Sequence, residues 1–195
     1  MTTIPSELPF ETDGARLIYV IGASGAGKDT LLQGVRRTLH GEPIIFAKRF
    51  ITRRPSNVGE QHLAISRERF DKLSESNYFV MEWHSHGFSY GIGRGIVDVL
   101  QYGSVVVVNG SREYLPEAIK RFPALTPILV EVDPRVLRAR LEARGREDAE
   151  AITKRIERAV RPFEYPDNII RIDNSASIKV ATDKLLEVIL KVQAL

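Results

Sequence analysis

The segment VIGASGAGKDTLL, Val20–Leu32, determines the fold class, because it combines a glycine-rich turn with the spacing of a phosphate-binding loop. Gly22 and Gly27 are separated by four residues, and Lys28 follows at once. The apolar run at 17–21 predicts a buried parallel strand before the turn, and apolar residues at helical spacing follow it. In this context backbone N–H groups and a helix N-terminus cradle phosphate, and the lysine reaches the outer phosphates. The alternative is an ordinary glycine-rich turn between a strand and a helix.

We expect this loop to bind the triphosphate of ATP, with Mg²⁺ as the accompanying ion and Lys28 as a catalytic residue. The predicted nucleotide contacts are the residues of the turn and the first helical turn: Gly22, Ala23, Ser24, Gly25, Ala26, Gly27, Lys28, Asp29 and Thr30.

Asp29 stands where such loops normally carry a serine or threonine whose hydroxyl ligates Mg²⁺. A carboxylate is also a hard oxygen ligand. Four consecutive valines predict a central strand that ends in Asn109, where many such proteins carry a metal-linked aspartate. We predict that Asp29 acts in catalysis by supplying the carboxylate on Mg²⁺ that this strand lacks, with Thr30 a less favoured ligand. The alternative is an acid that only complements the helix dipole.

Strand and helix patterns alternate along the rest of the chain. They predict an α/β fold of the P-loop NTPase type, a doubly wound parallel sheet of about five strands with a helical lid and a small acceptor-binding insertion. Further strands are predicted at 43–47, 105–108, 126–132 and 169–172, and helices at 28–39, 134–143, 147–160 and 176–192. The 195 residues favour a single domain, 1–195, with its core at 16–47 and 96–195, the insertion at 48–95 and the lid at 140–162.

The composition excludes several classes of function. The chain has no cysteine, which excludes disulfides, thiolate metal sites and thiol catalysis. No apolar stretch approaches about 18 residues, so we expect no membrane partner. The net charge of +3 is too small to argue for nucleic-acid binding. We expect a cytoplasmic protein that acts on a small-molecule substrate, and a homodimer stays open as an alternative to a monomer.

Residues 135–161 are rich in arginine and contain a single lysine. The planar guanidinium suits phosphate oxygens, whereas solvated surfaces usually mix both residue types. We predict a lid that closes over the transferring phosphoryl group, spreads its charge and excludes water. Arg144 and Arg155 are the best catalytic candidates, and Arg140 and Arg158 follow. A solvated helix face is the alternative, and nucleic-acid binding lacks an aromatic platform beside the basic helix.

The polar residues of the insertion are candidates for binding an acceptor. Arg49 and Arg53 suit an acceptor phosphate. Glu60 and Glu82 are candidates to accept hydrogen bonds from substrate hydroxyls, and Tyr90 to add a hydroxyl. The three histidines of the insertion have weak metal-site spacing and no clustered acid, so we expect them to donate to phosphate or sugar or to lie on the surface.

These motifs occur in the order and rough spacing of guanylate kinase-like proteins. The shared segments are GASGAGKDTLL, ITRRP, GE, FVMEW with YGIG, and RLEARGRE with ITKRI, over about residues 16–190. The resemblance implies a phosphate-loop kinase core with an acceptor-binding insertion and an arginine lid. It matches Arg53, Glu60, Glu82 and Tyr90 to acceptor-site positions, and Arg144 and Arg155 to the lid.

The chain departs from guanylate kinases at the positions that read guanine. NGSR, at 109–112, replaces an acid-bearing segment, and Ile92 replaces a small polar residue. Lost hydrogen-bond partners remove base discrimination. GKD, FITR and VVVNGSR instead resemble the family members that use ATP to phosphorylate ribose 1,5-bisphosphate to 5-phosphoribosyl 1-diphosphate. The alternatives are a guanylate or other nucleoside monophosphate kinase, and a non-catalytic protein-binding module.

The implied acceptor is a sugar with two phosphates, which needs more cationic partners than a nucleoside monophosphate does. Arg112 comes just after a strand end, where ligands of such sheets bind. We predict that Arg112, together with Arg49 or Arg53, holds one acceptor phosphate. The alternative is that Arg112 caps or pairs locally.

Overall fold

Two β-sheets and seven helices make up the part of the chain that the computed structural model describes, residues 14–53, 62–145 and 148–195. The strands are β1 (Leu17–Gly22), β2 (Ile44–Phe46), β3 (Arg49–Ile51), β4 (His62–Ala64), β5 (Phe79–Ser85), β6 (Phe88–Gly93), β7 (Val105–Asn109), β8 (Thr126–Glu131) and β9 (Ile170–Asp173). The helices are α1 (Lys28–Thr38), α2 (Arg67–Glu75), α3 (Gly95–Gln101), α4 (Leu115–Arg121), α5 (Pro134–Arg144), α6 (Ala149–Val160) and α7 (Ile178–Gln193).

The larger sheet has five parallel strands in the order β2-β7-β1-β8-β9, which confirms the predicted fold class. Its central strand β1 is buried on both faces. Leu17, Tyr19 and Ile21 pack into a core on one face with α3 and α4, whereas Ile18 and Val20 pack into a core on the other face with α1 and α7. This division follows from the alternation of side chains along a strand. The phosphate-loop turn therefore leaves the carboxyl end of a rigid central strand.

The predicted strands and long helices all form, with ends within a few residues of the predicted ones. Helices α3 and α4 are not predicted by the sequence patterns. Each has only seven residues, about two turns, which is too short for a helical period to stand out from the apolar segments around it.

The smaller sheet lies within the segment predicted as an insertion and has the strand order β4-β3-β6-β5. Strands β5 and β6 form an antiparallel hairpin whose turn places His86 and Gly87 at positive φ. Helix α2 packs on this sheet through Phe70, which stacks on Phe79 with ring centroids 4.8 Å apart.

Helices α5 and α6 share a small core of their own, formed by Leu137, Leu141 and Ile152. Each helix has an aspartate N-cap: Asp133 accepts a hydrogen bond from the Arg135 N–H, and Asp148 does the same for the next helix. In the described residues, no helix combines the length and apolar character needed to cross a membrane.

Candidate active site

A cavity of about 400 Å³ lies at the carboxyl ends of β1 and β7, between the phosphate loop, the smaller sheet and helices α5 and α6. Its charged lining comprises seven cationic side chains and two carboxylates. The cations are Lys28, Arg49, Arg53, Arg112, Arg144, Arg155 and Arg158, and the carboxylates are Asp29 and Glu113. Because the cations far outnumber the acids, the cavity suits a ligand with several negative charges.

The phosphate loop is supported from behind by Asn174, which follows β9. Asn174 is fully buried, and its Nδ2 donates to the carbonyl of Ala26 across 2.7 Å. Gly27 has a φ of 93°, and a Cβ there would lie 2.4 Å from the same Nδ2. The glycine is therefore required both by its backbone angle and by close packing. Asn174 has no recognisable signal in the sequence, because a polar residue after a strand is common.

The Lys28 ammonium donates to the carbonyls of Gly22 and Ala23 at 2.8 and 3.0 Å. Burial of this ammonium lowers its pKa to about 8; Asp29 partly offsets this fall, while Arg49 and Arg112 add to it. The site thus disfavours the charged lysine until an anion approaches. A phosphate group bound in the loop would restore the charge.

Asp29 joins three elements of the fold. Its Oδ1 accepts a hydrogen bond from Asn109 Nδ2 at 2.7 Å and another from Arg49 Nη2 at 3.1 Å. These residues come from α1, β7 and β3. The structure thus brings the unusual loop acid directly against the strand-end amide, although the metal role of Asp29 stays a prediction.

Arg112 caps the last turn of α6. Its Nη1 and Nη2 donate to the carbonyls of Ala159 and Arg158, each at 3.0 Å. A cationic fork satisfies carbonyls that a helix C-terminus leaves unpaired. The structure therefore shows the local cap that the sequence left open as the alternative. Arg112 also lines the cavity, and its contact with an acceptor phosphate stays a prediction.

The arginines of the predicted lid divide into two groups. Arg144, Arg155 and Arg158 line the cavity. Arg140 does not line it; it donates from Nη2 to the carbonyl of Asn174 at 2.8 Å and so supports the loop. Arg158 also contacts the imidazole of His86, which brings the end of α6 against the β5–β6 hairpin.

The acceptor candidates of the smaller sheet differ in where they point. Arg49 and Ile51 lie two residues apart in β3 and both line the cavity, as alternation along a strand requires. Arg53, two residues after the end of β3, and Tyr90 line it too. The Tyr90 ring stacks on Trp83 with centroids 5.5 Å apart and planes 4° apart. The sequence analysis did not identify Trp83 as a cavity residue. Because neighbouring side chains on a strand point to opposite faces, the pattern could have indicated that only one of Glu82 and Trp83 faces the cavity.

Glu82 is not brought to the cavity. It accepts a hydrogen bond from Ser74 Oγ at 3.1 Å, whereas its strand neighbours Trp83 and Ser85 line the cavity. Consecutive side chains on a strand point to opposite faces, so the predicted substrate contact at Glu82 has no support from this geometry. Glu60 lies outside the described residues.

Backbone contacts explain the remaining loop positions. Gly22, Ser24, Gly25 and Thr30 line the cavity, and the N–H of Ala26 donates to the carbonyl of Ala23 in the turn itself. The described parts of the chain contain no group of three or more histidine, aspartate or glutamate residues placed to hold a metal.

Comparisons with known proteins agree with this architecture. Residues 14–191 match the sequence model of the guanylate kinase family. A ribose 1,5-bisphosphate phosphokinase of Thiobacillus denitrificans is 47% identical over 176 residues, which cover 89% of this chain and 92% of the relative. The one of Achromobacter xylosoxidans is 45% identical over 179 residues, covering 90% and 93%. The guanylate kinase structure of Anaplasma phagocytophilum shares the fold, with a TM-score of 0.64, 16% identity, and coverage of 91% and 86%.

Proposed function

The chain belongs to the guanylate kinase family. From its similarity to particular members of that family and from the lining of its cavity, we propose its reaction in detail. It is a ribose 1,5-bisphosphate phosphokinase: it transfers the γ-phosphoryl group of ATP to the 1-phosphate of ribose 1,5-bisphosphate and forms 5-phosphoribosyl 1-diphosphate. The observation that carries the proposal is the cavity lined by seven cationic side chains at the phosphate loop, which suits an acceptor with two phosphates.

The phosphate loop binds the triphosphate through its N–H groups and Lys28. The Asp29 carboxylate is half exposed at the cavity. Arg49 and Asn109 both donate to its Oδ1, so among the described residues Oδ2 is available to a hard cation. Asp29 would hold Mg²⁺, with Thr30 a less favoured ligand. When bound, Mg²⁺ would supply positive charge that offsets the negative charge of the nucleotide phosphates.

The transfer needs no general base, because a phosphate monoester is already largely dianionic near neutral pH. An oxygen of the acceptor 1-phosphate forms a bond to the γ-phosphorus while the bond from that phosphorus to the bridging oxygen of ADP breaks. Arg144 and Arg155 balance the charge on the transferring group from the lid side. Helices α5 and α6 close the cavity and exclude water, which would otherwise hydrolyse ATP.

The acceptor lies against the smaller sheet. Arg112, together with Arg49 or Arg53, holds one of its phosphates, and Arg112 does so while it caps α6. Tyr90, fixed by its stack on Trp83, borders the sugar. Because Arg112 already donates to two carbonyls, its guanidinium is held in place before the acceptor arrives, which lowers the entropic cost of binding.

Product analysis tests the proposal. The protein is incubated with ATP, Mg²⁺ and either ribose 1,5-bisphosphate or GMP, and products are separated by ion-exchange chromatography. We expect 5-phosphoribosyl 1-diphosphate and ADP from the first mixture and little ADP from the second. Arg144→Ala, a cavity arginine, should lose most turnover, whereas Arg138→Ala, on the exposed side of the same helix, should retain it. Faster turnover of GMP would contradict the proposal.

A further inference from the structure

The ion pair between Arg49 and Asp29 links the two halves of the site. Arg49 begins β3 of the smaller sheet, and Asp29 lies in the first turn of α1 beside the phosphate loop. Their side chains meet at 3.1 Å. The Arg49 side chain is 14% exposed, so the pair is partly shielded from water. A contact of this kind is weakly screened by salt and can bias the position of both partners.

Arg49 borders the cavity as well as Asp29. It shares the cavity-facing side of β3 with Ile51, and Arg53, just after the strand, lines the same cavity. The residue therefore borders both the loop acid and the space assigned to the acceptor.

A divalent cation on Asp29 changes the balance of charge around Arg49. The carboxylate carries a single negative charge, and its Oδ1 already accepts hydrogen bonds from Arg49 and Asn109. Two further positive charges on the same carboxylate repel the guanidinium and compete for the same anion. Lys28 adds to the repulsion, since Arg49 already contributes to lowering its pKa. The acceptor phosphate is then the favourable partner for Arg49.

We propose that Arg49 is a coupling residue: it pairs with Asp29 while no metal-nucleotide complex is bound and pairs with a phosphate of the acceptor once that complex occupies the loop. This inference rests on the proposed function, because it needs both the metal role of Asp29 and an acceptor phosphate beside β3. The consequence is positive cooperativity between Mg²⁺-nucleotide and acceptor. By linkage, each ligand must tighten the other by the same factor.

Calorimetric titration of ribose 1,5-bisphosphate into the full chain measures this coupling. Titrations are made with the protein alone, with Mg²⁺ alone, with a non-hydrolysable ATP analogue in EDTA, and with Mg²⁺ and the analogue together. We expect the bisphosphate to bind about 5- to 150-fold more tightly with the complete metal-nucleotide complex than with the analogue in EDTA. The titration with Mg²⁺ alone is a control, because it shows how much of the change comes from binding of the ion to the bisphosphate rather than to the protein.

Two variants assign the coupling to one side chain. Arg49→Gln should bind the bisphosphate with nearly the same affinity with and without the metal-nucleotide complex. Arg53→Gln, just after β3 and in the same cavity lining, should weaken binding in both states and keep the coupling factor. Thermal unfolding checks that both variants are folded. If a variant fails to fold, the coupling is still tested by comparing bisphosphate affinities of the unsubstituted protein with and without the complex.

Equal bisphosphate affinities with and without the complex in the unsubstituted protein, or undiminished coupling in Arg49→Gln, would overturn the inference. If the unsubstituted protein still turns over ribose 1,5-bisphosphate in that case, only the coupling role fails. If it neither binds nor turns over the bisphosphate, the proposed function fails, and the coupling role fails with it.

Discussion

The contact between Asn109 and Asp29 allows a direct test of the electrostatics at the loop, through the substitution Asn109→Asp. Asn109 is 7% exposed, and its amide donates to Asp29 across 2.7 Å. A carboxylate at position 109 replaces this hydrogen bond with a contact between two anions. Two unit charges about 4 Å apart at an effective dielectric constant of about 20 repel by about 4 kcal/mol. Because the Asp29 side chain is 50% exposed and pairs with Arg49, we expect the free energy of unfolding to fall by about 2 kcal/mol.

The loss of stability should depend on pH with a defined sign. Two neighbouring carboxylates raise the pKa of one of them above its value in the unfolded chain. Such a group destabilises the folded protein by the full amount above the raised pKa, and the penalty declines as the pH falls from the raised pKa to the pKa of the unfolded chain. In metal-free buffer we therefore expect the melting temperature to drop by about 4 to 8 °C at pH 8 and by much less at about pH 4, measured by thermal unfolding.

Two comparisons make the result decisive. Asn109→Ala removes the same hydrogen bond without adding a charge, so it should show no such pH dependence. Asp29→Ser combined with Asn109→Asp moves the carboxylate from the loop to the strand end, and should recover both stability and Mg²⁺-dependent turnover. If Asn109→Asp costs no more stability than Asn109→Ala, or costs the same at both pH values, the electrostatic reasoning is wrong.

Three further results are expected from the same geometry. Because burial lowers the pKa of Lys28 to about 8, the Kd of Mg²⁺-ATP should rise by up to about tenfold per pH unit above pH 8, measured by nucleotide titration; a flat profile would contradict this. Gly27→Ala should lower the free energy of unfolding by about 1–3 kcal/mol more than Gly145→Ala in denaturant titrations. Both glycines have positive φ, but an added Cβ meets Asn174 only at the first, so equal losses would refute the packing argument. Arg112→Ala should raise the KM for ribose 1,5-bisphosphate about tenfold or more while changing the KM for ATP little; an unchanged acceptor KM would leave Arg112 as a helix cap alone.

Local patterns in the chain were enough to predict the architecture. The glycine spacing before Lys28, the apolar runs and the helix caps each act over a few neighbouring residues, so they can be recognised without knowing the fold. The order of these elements then restricts the topology to a doubly wound parallel sheet, because parallel strands need helical crossovers. The missed helices α3 and α4 are short, and their apolar residues serve the common core as much as a helical face.

Site residues were predictable as types but not as partners. The loop acid and the strand-end amide were each recognisable, and alternation along a strand could have excluded Glu82 from the cavity. The roles of Asn174 and Arg140 behind the loop were not recognisable. Asn174 belongs to no motif, the motif of Arg140 indicated a lid, and both residues act through the position of a backbone carbonyl.

By itself the sequence determined the fold class, the phosphate loop and the kinase family to which the chain is similar. Only the tertiary structure decided that Asp29 meets an amide 80 residues away and an arginine 20 residues away, and that Arg112 caps a helix end 47 residues away. The physical reason is the range of the interactions involved. Backbone propensities and side-chain periods depend on near neighbours, whereas the pairing of charged groups depends on how the sheets and helices pack and on which cavity they enclose.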